Sequence, residues 1–169
     1  MPTAPRASRQ APPELPESAA RVLRRFRIVF NTVKAHFRSM EKSAGMAGAQ
    51  VWALSVIRQH PGIGVGALAK AMDIHQSTAS NLLRPLIEQG FVAADRTLAD
   101  KRAVHLQLTP LGARRLRKVP GPFTGVLPEA LRRLDERTLS RLDKDLAALV
   151  ELLDGDPRAG KVPLGQSDR

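Results

Sequence analysis

Apolar side chains recur at intervals of three and four from Val22 through Phe26, Val29, Val33 and Phe37 to Met40. Arg24, Arg27, Asn31, Lys34 and Arg38 keep the same spacing on another face. This is the signature of an amphipathic helix over about residues 17–42, roughly seven turns long. Leu23 and Phe30 widen its apolar surface beyond what a small lobe covers. A second helix over about 47–59 offers Val51, Leu54, Val56 and Ile57 to a core and stops at His60-Pro61-Gly62. A third, over about 65–72, buries Leu68, Ala69 and Met72. Asp73-Ile74 turns the chain into a fourth helix, about 76–89, which ends on Gly90. Ala79, Leu82, Leu83, Leu86 and Ile87 form the expected buried side of that fourth helix.

The period then changes from helix to strand. Phe91 to Asp95 is short and apolar at its start, and Val104, Leu106 and Leu108 alternate with His105 and Gln107. Between the two lies the charged loop RTLADKR, residues 96–102. Thr109-Pro110 has the chemistry of an N-cap followed by proline at the first helical position. Pro120-Gly121-Pro122 must break the helix that begins there. Helix resumes near Pro128, and Leu139, Leu142, Leu146, Leu149 and Leu153 then form a seam like that of a short coiled coil.

Two short helices across a tight turn, followed by two strands around a charged loop, predict a winged helix-turn-helix. The fold class is mainly α with a small β-hairpin wing, carrying N- and C-terminal dimerisation helices. Residues 1–16 read as a disordered basic arm, 17–45 as a dimerisation helix and 46–110 as a winged DNA-binding lobe. Residues 111–154 read as further dimerisation helices and 155–169 as a flexible tail. The first helix and the leucine seam both need partners, and paired chains would bury them. Val22, Phe26, Val29, Leu142, Leu146 and Leu149 are the expected dimerisation contacts. Packing of those two helices within one chain is the alternative.

Charge sharpens the picture. The chain of 169 residues carries 27 Lys and Arg against 16 Asp and Glu, a net +11 that favours polyanionic partners, nucleic acid first. It has no cysteine, which excludes thiol catalysis, disulfide sensing and cysteine-ligated zinc. No apolar run approaches the roughly 20 residues of a membrane span, and the N-terminus lacks the apolar core of a signal peptide. A cytoplasmic protein with no membrane partner is the expectation.

On the fourth helix, Ser77, Ser80, Asn81, Arg84 and Glu88 share the face opposite the apolar side, with Thr78 near the front. Short hydroxyl and amide side chains approach base edges, and an arginine reaches a guanine or a phosphate. The same face would serve equally as plain solvated surface, were it not followed at once by a basic hairpin. In that hairpin Arg96, Lys101 and Arg102 would meet the backbone or minor groove, and Asp100 would orient an arginine, Arg102 first. Pro85 opposes the assignment, because it lies inside the fourth helix and removes a hydrogen bond.

The pattern LAKAMDIHQSTASNLLRPLIEQGFV, the wing pair Asp100 and Arg102, and Leu108, Thr109 and Gly112 after it resemble the MarR family of bacterial transcription regulators. The resemblance covers about residues 20–154. It implies a homodimer with intertwined first and last helices and two winged lobes on a palindromic operator. It also implies that a small molecule, often aromatic or phenolic, releases the DNA, and a repressor is the expected role. Pro85, the Pro120-Gly121-Pro122 break and the proline-rich tails depart from the family pattern.

A ligand pocket is expected where the dimer helices meet the winged lobe, with His36, Phe37 and Trp52 on its wall, although simple core packing explains the two aromatics as well. His36, His60, His75 and His105 form no metal-binding spacing, and no cofactor is expected. His75 reads as the residue that starts the fourth helix near DNA, and His105 as a side chain on the wet side of its strand. There is no phosphate loop, nucleophile elbow or zinc-protease motif, so an enzyme is not expected. The rival functions are an architectural or weakly specific DNA-binding protein and a winged helix used as a protein-interaction module.

Overall fold

The computed structural model describes residues 14–96 and 104–164, the Arg96 side chain excepted. Seven α-helices and one hairpin follow one another as α1 (Glu17–Ala44), α2 (Gly48–Gln59), α3 (Val65–Ala71), α4 (Gln76–Glu88), β1 (Val92–Arg96), β2 (Val104–Leu108), α5 (Pro110–Leu116), α6 (Val126–Leu131) and α7 (Glu136–Leu152). A short 3-10 turn, Pro157–Lys161, comes after α7. The mainly α fold with a β-hairpin wing is therefore the observed one.

One core holds the winged lobe. Leu54 and Ile57 of α2, Leu68 of α3, Leu86 of α4, Leu106 of β2 and Leu116 of α5 are almost wholly excluded from water. Met40 and Ala44 join this core from the last turns of α1, and they are the only buried residues of that 28-residue helix. The cost of ordering α2 to α5 is thus offset by apolar burial inside the lobe rather than by helix propensity alone. Gly45 ends α1 in the left-handed conformation, at φ 67°, with its N–H donating to Glu41.

The wing is an antiparallel pair in which Val92 faces Leu108 and Asp95 faces His105. An isolated bridge between Ile63 and Leu106 ties the α2–α3 connection to β2. Its bonds run from Gly62 N–H to the Leu106 carbonyl and from Leu106 N–H to the Ile63 carbonyl, at 2.9 and 3.0 Å. His105 is less wet than its place in the alternation suggests. Its ring is half-buried, with Nδ1 3.1 Å from the Gly62 carbonyl.

The distal helices differ in kind. α7 contains no buried residue at all. Leu142, Leu146 and Val150 are 36, 43 and 44% exposed, and on α1 Val22 and Val29 are 48 and 41% exposed. Asp135 starts α7 by accepting from Thr138 N–H at 2.9 Å and from its hydroxyl at 2.8 Å. The backbone bond from Thr138, then its hydroxyl, hold the Asp135 carboxyl below the usual aspartate range. The break expected at Pro120-Gly121-Pro122 is present, and α5 and α6 lie on either side of it. The tail expected over 155–169 is a folded turn from Pro157 to Lys161, and Pro163 beyond it is buried.

Candidate nucleic-acid interface

Four polar side chains of α4 stand clear of the lobe because the opposite side of the helix is locked into it. Ala79, Leu82, Leu83 and Leu86 are buried, whereas Ser77, Ser80, Asn81 and Arg84 are exposed. Thr78 is half-buried at the edge. Ile87 departs from expectation, since it is 39% exposed rather than buried. It sits with Val65, Leu83 and Val104 along a shallow groove between α4 and the wing, which the hairpin only partly fills.

The Ser80 hydroxyl donates to the Gln76 carbonyl at 2.9 Å. Its proton is committed to the helix, so toward a ligand Ser80 offers its oxygen as an acceptor. Pro85 is half-buried within the helix, which runs on to Glu88. Residue 85 has no N–H to give the Asn81 carbonyl, and packing of Leu82, Leu83 and Leu86 holds the helix through that gap. His75 precedes α4 in extended conformation and does not cap it with its side chain.

The end of α4 and the base of the wing are fixed to each other. Gly90, at φ 72°, lets Phe91 N–H reach back to the Leu86 carbonyl at 2.8 Å. Thr109 then donates its hydroxyl to the Gly90 carbonyl at 2.7 Å and accepts from Gly112 N–H at 3.1 Å as the cap of α5. At Gly112 a Cβ would lie 2.2 Å from the Phe91 carbonyl oxygen, so only glycine allows α5 to approach this strand. The Arg115 guanidinium lies 5.5 Å over the Phe91 ring and belongs to this packing. Together these contacts set the angle between α4 and the hairpin. Asp100, Lys101 and Arg102, with the Arg96 side chain, lie outside the described residues.

A cleft of about 410 Å³ opens between α1, α2 and the α3–α4 turn on one side and the segment from Phe123 to Leu131 on the other. Phe37 and Trp52 line it. His36 stands off its wall. It packs on Phe37 with ring centroids 5.8 Å apart, and its Nε2 is 3.0 Å from the Pro122 carbonyl. Two contributors were not legible in the chain. Gly48 lies so close to Phe37 that a Cβ would come within 2.3 Å of the ring, and Phe123 is held over the cleft by Arg58, 5.3 Å from its centroid. Neither follows from periodicity, because Gly48 depends on how closely α2 packs on α1 and Phe123 on where the loop after a proline break returns. Among the described residues no group of three or more acidic or histidine side chains could hold a metal ion. No described helix is long and apolar enough to cross a membrane.

Comparison with known proteins agrees with this architecture. The MarR family model matches residues 49–104, from α2 to the start of β2. A protein of Thauera aromatica, assigned as a transcriptional regulatory protein for the hcr operon, is 29% identical over 117 residues. That match covers 69% of this chain and 66% of the relative. A MarR family transcriptional regulator from Streptomyces coelicolor, solved in complex with DNA, superposes with a TM-score of 0.54 at 23% identity. It spans 89% of this chain and 98% of its own. A MepR-like protein complexed with pseudoligands gives 0.55 at 16% identity over 81% of this chain and 96% of its own. The curated relative and the Streptomyces structure are both regulators of transcription. The stretch from α2 to the start of β2 thus matches the MarR family model, and the fold around it is that of solved MarR family regulators, to which this chain is similar.

Proposed function

We propose that this chain is a sequence-specific repressor that binds a palindromic operator as a homodimer and is released from it by a small aromatic or phenolic molecule. The observation that carries the proposal is the exposed polar face of α4, held rigid by the buried opposite face and by the Thr109 clamp at the wing. Ser77, Thr78, Ser80, Asn81 and Arg84 read bases or seat the helix on phosphates. Arg96, Lys101 and Arg102 act from the wing, and Asp100 orients Arg102. Residues 46–110 are the DNA-binding lobe in this scheme, with 17–45 and 111–154 as dimerisation helices.

Val22, Phe26 and Val29 of α1 and Leu142, Leu146 and Leu149 of α7 form the contact between copies. That α7 buries none of its residues supports a second chain as its cover. Two recognition helices related by a two-fold axis demand a two-fold symmetric site. Phe37 and Trp52 meet the ligand, and His36 acts behind them by holding the Pro122 loop. The protein works in the cytoplasm, where the DNA is.

Selection of bound fragments from a random double-stranded pool, at near-physiological salt, tests the proposal. Enrichment of one palindrome with half-sites about a helical turn apart is the expected result. Retention without an enriched sequence replaces it with the architectural function, for which the net charge of +11 speaks. No retention at modest salt replaces it with a protein-interaction module.

A further inference from the structure

The chain after α7 folds back onto the body. Asp156 accepts from Arg158 N–H at 2.9 Å, and Arg158 Nε reaches both of its carboxylate oxygens at 3.1 Å, which starts the Pro157–Lys161 turn. The turn directs Val162, Pro163 and Leu164 onto the cleft that Phe37 and Trp52 line. Pro163 is buried, while Val162 and Leu164 on either side are 48 and 63% exposed. Pro163 is therefore packed into the cleft wall, and Val162 and Leu164 beside it line the cleft while staying open to water. Lys161 Nζ pairs with Oδ1 of Asp73, 88 positions earlier in the chain. Asp73 is the residue of the α3–α4 turn with φ 53°, so the pair reaches the hinge of the helix-turn-helix itself.

We propose that residues 157–164 are an internal strap that walls one side of the cleft and ties the end of α7 to the α3–α4 turn, so that an apolar ligand that fills the cleft displaces it. Proline and two aliphatic side chains suit walls made of Phe37, Trp52, Ile74, Phe123 and Leu127. The clasp is weak by design of its surroundings. Lys161 and Asp73 side chains are 45 and 82% exposed, and water screens such a pair. Displacing the strap frees the α3–α4 turn from α7 at the moment the cleft fills, which couples ligand to recognition helix. This coupling rests on the cleft being the regulatory ligand site, whereas occupation by the strap does not.

Trp52 is the single tryptophan of the chain and lies on the cleft wall, so it reports the strap directly. Three forms are compared with the full chain: a truncation lacking 157–169, a truncation lacking only 165–169, and full-length Lys161→Glu with Pro163→Asp. Acrylamide quenching of Trp52 and binding of the neutral fluorescent probe N-phenyl-1-naphthylamine are measured for each. The first and third forms should show stronger quenching and tighter probe binding, with the second like the full chain. If the strap is closed in about nine molecules of ten, its loss tightens the probe about tenfold. Equal quenching and equal probe affinity in all forms overturn the strap. The full-length double variant decides the matter if the longer truncation fails to fold. The two readings separate on the selected DNA fragment. An opened cleft whose probe leaves DNA affinity unchanged upholds the strap and ends the ligand-site reading. A probe that weakens DNA binding equally with and without residues 157–169 upholds the ligand site and ends the strap.

Discussion

The winged lobe and the α1–α7 pair both carry apolar residues at helical spacing, yet only the lobe buries them within its own chain. In the lobe, α2 alone buries Val51, Ala53, Leu54, Val56 and Ile57. In α7, a helix of 17 residues, the leucines repeat as regularly and none is buried. Where α1 and α7 approach each other, Val22, Phe26, Phe30, Leu149 and Leu153 line an open apolar groove rather than a closed core. Periodicity therefore reports that a helix has an apolar face, and only the tertiary contacts decide whether its own chain covers that face. The lobe is expected to hold its structure alone, whereas α1 and α7 are expected to depend on a second copy.

The largest effect should come from breaking the uncovered region. Leu142→Glu with Leu146→Glu places charge on the α7 seam without touching the lobe core. Sedimentation should show a monomer, and affinity for a two-fold operator should fall about a hundredfold or more, as expected when two linked sites become one. Dimers that persist at micromolar concentration would remove α7 from the interface between copies.

A change inside the lobe should act on stability instead. Gly112→Ala puts a methyl 2.2 Å from the Phe91 carbonyl and 2.8 Å from Leu108 Cδ1. The backbone between wing and α5 must shift, at a cost of about 2–3 kcal/mol. Urea unfolding followed by Trp52 fluorescence measures this. An unchanged midpoint would show that the α4–wing angle does not depend on that close approach.

Much of this division was legible in the chain, and the exceptions share a cause. The inward face of α4 follows from spacing at Ala79, Leu82, Leu83 and Leu86, because each lies in the middle of the stripe. Ile87 sits at the stripe's edge, where burial depends on how far the hairpin reaches over it. Phe37 and Trp52 were recognisable as aromatic residues near a junction, but the wall facing them depends on the loop after Pro120-Gly121-Pro122, anchored by His36 and Arg58. The Lys161–Asp73 pair has no sequence signal, since neither residue belongs to a periodic pattern. The exposed polar side of α4 was legible as chemistry, while the internal use of the Ser80 proton was not.

Ser80→Glu sharpens the comparison from the DNA side. Residue 80 is exposed, so lobe stability should hardly change, but a carboxylate then faces phosphate and affinity should fall roughly tenfold. Gel-shift titration on the selected operator, beside a urea curve of the same variant, separates the two effects. Full operator affinity in this variant would take the middle of α4 out of the interface.

The smallest expected effect lies at the start of α7. The Asp135 carboxyl titrates below its ordinary range because Thr138 N–H, and next the Thr138 hydroxyl, donate to it. A carboxyl lowered in this way stabilises the folded state above its unfolded pKa, and that contribution is lost as pH falls through the lower folded value. Asp135→Asn keeps an acceptor at the cap but removes the charge that titrates. Below about pH 4 the full chain should therefore lose part of its advantage over the variant, while above about pH 6 the difference stays constant. Helix content by circular dichroism, in urea series across that range, reads the difference between the two proteins. Parallel curves at every pH would mean that the cap closes on α7 only after the second copy has already ordered it, so that the uncovered region draws its helix from the dimer and not from Asp135.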